Sequence, residues 1–134
     1  MSATYDVAGL SIAVIGGTTG LGLSAARALA AQGAKVVVMG RSPESLATAL
    51  EELGPECHGL AADAVESASS DRAVALAVEK FGRLDALYHV AGGSGRRKGD
   101  GPLHEMSDEG WHYTLDLNLT SLCYSNRAAF PDGQ

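Results

Sequence analysis

A glycine-rich segment near the N-terminus carries the most specific chemical signal in this sequence. Residues 16–22 read Gly-Gly-Thr-Thr-Gly-Leu-Gly, between a short apolar run and an alanine-rich stretch. Glycines let the backbone turn tightly and approach a pyrophosphate, which the N–H groups and dipole of a following helix stabilise. The segment also satisfies the G-x-G-x-x-G/A dinucleotide pattern, and it predicts a nucleotide site; glycines that serve only a tight turn are the alternative. The predicted contacts are Gly16, Thr18, Thr19, Gly20, Leu21 and Gly22.

The residues after a second apolar run indicate which dinucleotide would bind. NAD sites of this kind place an acid about 20 residues beyond the loop, whereas an arginine accommodates the 2′-phosphate of NADP. Here the run 35–39 is followed by Gly40, Arg41 and Ser42, without an acid. A guanidinium pairs with phosphate through two N–H groups, and a serine can donate its hydroxyl. The pattern favours NADP over NAD, although Arg41 as a solvated turn residue and Ser42 as a mere helix cap remain open.

Strands and helices alternate along the chain and must position these residues. We predict strands at 11–15, 35–39, 57–61 and 84–90 and helices at 21–31, 43–53, 67–81 and 107–129. Such alternation predicts a parallel sheet with helices on both faces. The expected fold class is α/β: a Rossmann-type doubly wound parallel sheet, truncated after four strands in the order 3-2-1-4.

Composition restricts the remaining classes of protein. The chain has 134 residues, 46% of them hydrophobic, and a net charge of −6. The apolar fraction excludes a disordered tail, and the acidic balance argues against nucleic acid or an anionic membrane as partner. Residues 1–6 carry no basic segment of a secretory leader, and the uncharged run 7–26 fits a strand, loop and helix better than a membrane span. Two distant cysteines and four histidines without ligand spacing predict a cytoplasmic protein without a metal site.

The chain resembles the classical short-chain dehydrogenases/reductases over nearly its whole length. The loop pattern of that family, Thr-Gly-x-x-x-Gly-x-Gly, is found at residues 15–22 with Ile15 in place of the threonine. Its Asn-Asn-Ala-Gly motif is matched by His-Val-Ala-Gly at residues 89–92, where small residues let the nicotinamide ribose lie against the backbone. The resemblance implies hydride transfer between NADP(H) and a small carbonyl or secondary alcohol substrate.

The same resemblance implies roles for further residues. Asp63 corresponds to the acid that recognises adenine, and Asn118 to the asparagine of the catalytic tetrad, which sits at a helix distortion and organises water in a proton relay. From the residues alone, Asp63 as an exposed turn acid and Asn118 as a polar residue facing a wet groove remain open. A hydrogen-bonded core histidine is the favoured interpretation of His89. The implied cofactor contacts in this part of the chain are Asp63, Ala64, Val90, Ala91 and Gly92.

The proton-transfer residues of that family are not found in the 134 residues. The family uses a serine and a tyrosine with a lysine four residues later. None of the four tyrosines of this chain has a lysine at that spacing: Tyr5, Tyr88, Tyr113 and Tyr124. We therefore expect residues 1–134 to be one incomplete domain, the cofactor-binding half of a longer enzyme, inactive alone. The resemblance also implies a homo-oligomer at full length. A non-catalytic nucleotide-binding or interaction module is the alternative function.

Overall fold

The computed structural model describes residues 5–130. Residues 1–4, part of the segment considered above as a secretory leader, and residues 131–134 lie outside the described residues. Four parallel strands form one sheet: β1 Ser11–Ile15, β2 Lys35–Gly40, β3 His58–Ala61 and β4 Ala86–His89. Their order is β3-β2-β1-β4, which confirms the predicted doubly wound arrangement.

Five α-helices connect and cover the strands within the described residues: α1 Gly20–Ala31, α2 Pro43–Leu53, α3 Ser67–Phe81, α4 Asp108–Leu115 and α5 Ser121–Ala129. The predicted cap of α2 is confirmed, since the Ser45 N–H donates to Ser42 Oγ at 3.2 Å. At the other end of the fold, α3 ends at Gly82 with φ +82°, the left-handed conformation that favours glycine. A short 3-10 turn covers Arg96–Lys98.

The core lies on both faces of β1 and β2, because side chains alternate along a strand. Ile12, Val14 and Val38 pack with side chains of α1 and α2 on one face. Ile15 and Met39 pack on the other face, with alanines before and within α3. The two central strands are therefore buried from both sides, and their carboxyl ends are held rigidly at one edge of the sheet.

Several predicted boundaries are corrected by the structure. β3 begins at His58 rather than at residue 57, and β4 spans Ala86–His89 rather than 84–90. β4 ends at His89 because its partner β1 ends at Ile15, which pairs with His89. The helical region predicted at 107–129 is divided by a π-helical turn, Asp116–Thr120, between α4 and α5. The uncharged run 7–26 contains β1 and the start of α1. Over residues 5–130, no helix is long and apolar enough to cross a membrane.

Candidate functional site

An open cleft lies across the carboxyl ends of the strands, where ligands bind in doubly wound sheets. The residues that follow each strand meet there, together with one side chain of the π-helical turn. Eleven of the residues predicted from sequence are among those that line the cleft: Gly16, Thr18, Thr19, Gly20, Leu21, Arg41, Asp63, Ala64, Val90, Ala91 and Gly92. The predicted Gly22 is buried beneath the loop, and Ser42 lines an adjoining hollow.

The loop between β1 and α1 is folded tightly against the sheet. Gly16 has φ +84°, and the N–H groups of Gly16 and Gly17 both donate to the Met39 carbonyl, at 2.8 and 3.0 Å. A Cβ on Gly22 would collide with the Gly16 carbonyl oxygen, so the first turn of α1 must begin directly under the loop. This close approach requires glycine at both positions.

The N-terminus of α1 is suited to an anion. Thr19 precedes the helix without capping it through its side chain, and the first turn contains no acidic residue. The first N–H groups of a helix lack partners within the helix and carry partial positive charge. A pyrophosphate fits this end of the cleft because the glycines leave its approach clear of side chains.

A second hollow adjoins the cleft at the start of α2. It is lined by Thr18, Thr19, Arg41, Ser42 and Ser45. Arg41 is exposed and forms no ion pair within the described residues. Ser42 Oγ donates to Glu44 Oε2 at 3.1 Å. The hollow therefore offers one unpaired guanidinium and the hydroxyl groups of Thr18, Thr19 and Ser45, a donor set that fits a phosphate. Ser42 could join it only by releasing Glu44.

Asp63 forms a turn contact and also borders the cleft. Its Oδ1 accepts the Val65 N–H at 3.1 Å, which is the turn-acid contact expected from the residues alone. The same residue lines the cleft, beside Ala64. Turn formation thus fixes the carboxylate at the β3 end of the cleft.

Asn118 lies in the π-helical turn and holds the segment after β4. Its Oδ1 accepts the Gly93 N–H at 2.9 Å, while Nδ2 donates to the Gly93 carbonyl at 2.8 Å and to the Thr114 carbonyl at 2.9 Å. A Cβ on Gly92 would lie 2.8 Å from Asn118 Oδ1. The helix distortion expected from the family resemblance is present, and both N–H groups of the side chain are used within the protein.

His89 is hydrogen-bonded, as the residues predicted, but it is only partly buried and does not belong to the hydrophobic core. Its Nδ1 lies 2.7 Å from Ser125 Oγ and its Nε2 lies 3.0 Å from the Ala91 carbonyl oxygen. Burial lowers the pKa of the imidazole below its ordinary value, and the Ala91 carbonyl opposes this effect. The neutral ring is thereby favoured at the end of β4.

Comparison with known proteins decides the family. Residues 11–132 match the family model described as short chain dehydrogenase. The chain belongs to that family. A relative from Streptomyces virginiae, provisionally described as the ketoacyl reductase of a monensin polyketide synthase, is 40% identical over 124 residues, which are 90% of this chain and 46% of the relative.

Solved structures of two reductases have the same fold. An actinorhodin polyketide ketoreductase determined with NADPH has a TM-score of 0.79 and 35% identity, over 90% of this chain and 46% of that one. The NADH-dependent reductase A1-R′, complexed with NAD, has a TM-score of 0.81 and 30% identity, over 92% of this chain and 52% of that one. The chain spans about half the length of the relatives that it matches.

Four residues that border the cleft were not predicted from the sequence. Met39, Gly40, Ala62 and Leu117 also border the cleft. The first three immediately flank the predicted contacts at strand ends, so the strand-end rule could have found them. Leu117 does not follow a strand, so that rule could not predict it; it borders the cleft because it lies in the π-helical turn. Within residues 5–130, no three His, Cys, Asp or Glu side chains form a group that could hold a metal ion.

Proposed function

We propose that the chain binds NADP(H) in this cleft and forms the cofactor-binding half of an oxidoreductase that acts on a carbonyl or a secondary alcohol. The single observation that carries the proposal is the close packing of the glycine loop against the turn after β4. A Cβ on Gly16 would lie 2.6 Å from the Ala91 backbone nitrogen. A phosphate site and a surface of small residues are therefore joined in one cleft, as a dinucleotide requires.

Each part of the dinucleotide has a candidate partner in the described residues. The N-terminus of α1 and its glycine loop would receive the pyrophosphate. Asp63 would face the adenine, with Ala64 beside it, and Val90 to Gly92 would lie against the nicotinamide ribose. The 2′-phosphate of NADP would meet Arg41 and Ser42, and this is the feature that favours NADP over NAD. The similarity to a reductase determined with NADPH supports this preference, and the similarity to an NADH-dependent reductase complexed with NAD opposes it.

The bound cofactor would supply or accept the hydride. The residues of this chain bind and orient it: the small Ala91 and Gly92 leave room for the ribose, and Asn118 fixes the backbone that follows. Because the amide N–H groups of Asn118 are already donated, we assign its side chain to positioning; its part in a water-mediated proton relay stays a prediction. Proton transfer needs a group outside these residues, since no tyrosine has a lysine four positions later.

The decisive experiment is a titration of the 134-residue chain with NADPH and with NADH, followed by Trp111 fluorescence and calorimetry. We expect saturable 1:1 binding with tighter binding of NADPH, and no turnover of a panel of ketones and aldehydes. Absence of binding to either dinucleotide would reject the proposal, and equal affinity would reject its NADP component. Turnover by this chain alone would overturn the assignment of proton transfer to residues elsewhere.

We further propose that the full-length protein is cytoplasmic and assembles as a homo-oligomer. Support comes from α4, the π-helical turn and α5, which expose Trp111 by 50%, Leu119 by 61% and Leu122 by 39%. Exposed apolar side chains of this size on neighbouring turns are typical of an interaction surface. Light scattering coupled to size-exclusion chromatography tests the assembly, and replacement of Leu119 by Glu should shift an oligomer towards the monomer.

A further inference from the structure

We infer that His89 is a positioning residue that fastens the cofactor-binding turn after β4 to the π-helical turn. The inference rests on the proposed function, because it concerns the end of the cleft assigned to the nicotinamide ribose. It goes further by assigning a role to a residue that does not line the cleft. His89 occupies the first position of the segment that resembles Asn-Asn-Ala-Gly.

The hydrogen bonds determine which ring nitrogen carries the proton. Ser121 Oγ has one hydrogen, which it donates to the Leu117 carbonyl in a short bond of 2.6 Å. Towards His89 Nε2, at 3.3 Å, Ser121 Oγ can therefore act only as an acceptor. The other neighbour of Nε2 is the Ala91 carbonyl oxygen at 3.0 Å, which is also an acceptor. Nε2 must carry the hydrogen, since otherwise it would face two acceptors without a donor.

The opposite side of the ring is consistent with this assignment. With Nε2 protonated, neutral Nδ1 is an acceptor, and Ser125 Oγ can donate to it at 2.7 Å. The alternative acceptor for the Ser125 hydroxyl, the Leu122 carbonyl, is farther away at 3.2 Å. Ser121 and Ser125 are both buried in α5. The ring is thus held between two serine hydroxyl groups of α5 and one backbone carbonyl of the cleft.

This arrangement links two walls of the cleft. Nε2 binds the carbonyl of Ala91, which lines the cleft after β4. Through Ser121 it also reaches the carbonyl of Leu117, which lines the cleft from the π-helical turn. Asn118 holds Gly93, two residues beyond Ala91. Loss of the imidazole would free the Ala91 carbonyl, although the Ala91 N–H stays bonded to the Ile15 carbonyl, while the glycine loop and Arg41, at the phosphate end, keep their contacts.

The experiment compares two ligands that differ at the end His89 positions. NADPH contains the nicotinamide ribose, whereas 2′,5′-ADP contains only the adenosine with its 2′- and 5′-phosphates. The variant His89→Leu removes the hydrogen bonds and keeps an apolar side chain, and Ser125→Ala removes the donor to Nδ1 alone. His58→Leu is the matched control, because His58 is a part-buried histidine of β3 that packs 5.7 Å from the Phe81 ring, away from this network.

We expect His89→Leu to raise the Kd for NADPH about tenfold and that for 2′,5′-ADP less than about twofold. This is the size expected when a buried hydrogen bond that holds one end of the binding site is lost. Ser125→Ala should show the same selectivity with a smaller effect, and His58→Leu should change neither constant. Equal weakening of both ligands, or no change in a folded variant, would overturn the inference. If His89→Leu does not fold, Ser125→Ala decides by the same comparison.

A spectroscopic measurement on the unmodified chain is independent of ligand binding. Nitrogen-15 shifts of the His89 ring should show Nε2 protonated and Nδ1 unprotonated at neutral pH. Protonated Nδ1 in the neutral ring would overturn the hydrogen-bond assignment, whatever the affinities. If the unmodified chain binds neither ligand, the proposed function fails, and the ring shifts still decide the role of His89 in holding the turn.

Discussion

Gly16 and Ala91 are in such close contact that no side chain fits between them. A Cβ on Gly16 would lie 2.6 Å from the Ala91 nitrogen and 2.9 Å from its Cα. The Ala91 N–H also donates to the Ile15 carbonyl at 3.0 Å. The loop after β1 and the turn after β4 therefore pack directly on each other, and a side chain inserted between them should displace both.

Replacement of Gly16 by alanine should abolish dinucleotide binding and destabilise the fold. Gly82→Ala is a matched control: Gly82 has φ +82° against +84° for Gly16, but its Cβ would meet open space. The positive φ alone should cost about 1–2 kcal/mol at either position. The clash at Gly16 should add about 1–3 kcal/mol. Urea denaturation measures both costs, and equal destabilisation by the two variants would contradict the close packing.

Replacement of Arg41 by alanine should weaken NADPH binding and leave NADH binding nearly unchanged. Loss of a hydrogen-bonded contact to a charged group costs about 1.5–3 kcal/mol, which corresponds to a Kd raised about 10- to 100-fold. Arg72→Ala is the control, since Arg72 is an exposed arginine of α3 that does not line either hollow. Calorimetric titration at constant salt distinguishes the outcomes. A similar loss for NADH would mean that Arg41 does not recognise the 2′-phosphate.

Replacement of Glu44 by glutamine should improve the affinity for NADPH. The Ser42 hydroxyl donates to Glu44 Oε2 at 3.1 Å, so a negative charge lies beside the hollow proposed for the 2′-phosphate. Removing a like charge at the solvated surface should lower the Kd about threefold at low salt and less at high salt. Glu51→Gln, an exposed position farther along α2, is the control. An equal gain for NADH would indicate a general charge effect.

Acidification should destabilise the chain through His89. Its folded pKa lies below the ordinary value of 6.5, so the unfolded chain takes up the proton first as the pH falls. The stabilising contribution of the neutral ring is complete above about pH 6.5 and is lost progressively below it, down to the folded pKa. The contribution of Asp85 is lost at lower pH, because the Ser11 N–H and the Arg83 side chain lower the pKa of its carboxyl from 3.8.

Denaturation curves from pH 5 to pH 8 measure this effect. His89→Gln, which does not titrate, should flatten the dependence below about pH 6.5 relative to the unmodified chain. If the variant keeps the full slope of unfolding free energy against pH, the slope comes from another titrating group.

The edge of the sheet at β4 should limit the solubility of the 134-residue chain. Among the described residues, β4 pairs with a strand on one side only, and Tyr88 is 47% exposed beside an apolar hollow formed with α1. Unpaired strand edges with apolar side chains promote association. We expect marginal stability, with aggregation or a melting midpoint below about 60 °C. Tyr88→Lys should reduce light scattering, whereas Leu103→Lys, which removes an even more exposed apolar side chain from a loop, should not.

The sheet and its order were predictable from the sequence because buried parallel strands read as short continuous apolar runs. The runs at 11–15 and 35–39 are of this kind, and the glycine loop marks the first turn between a strand and a helix. The extent of β4 was not predictable, because its end depends on where β1 ends. Periodicity alone also cannot locate the π-helical turn around Asn118, since the apolar pattern continues through it. The two serine partners of His89 lie 32 and 36 residues later in the chain, so only the folded structure brings them to the ring.

The start of the sheet has a consequence for the order of folding during synthesis. Asp85 Oδ2 accepts the Ser11 N–H at 2.8 Å although the two residues are 74 positions apart. β1, β2 and β3 can pair as they leave the ribosome, since each neighbours the next along the chain. The other side of β1 must wait until β4 emerges. The walls of the cleft that contain Val90 to Gly92 and then Leu117 therefore assemble after the phosphate loop, which a growing chain holds before it has a complete cleft.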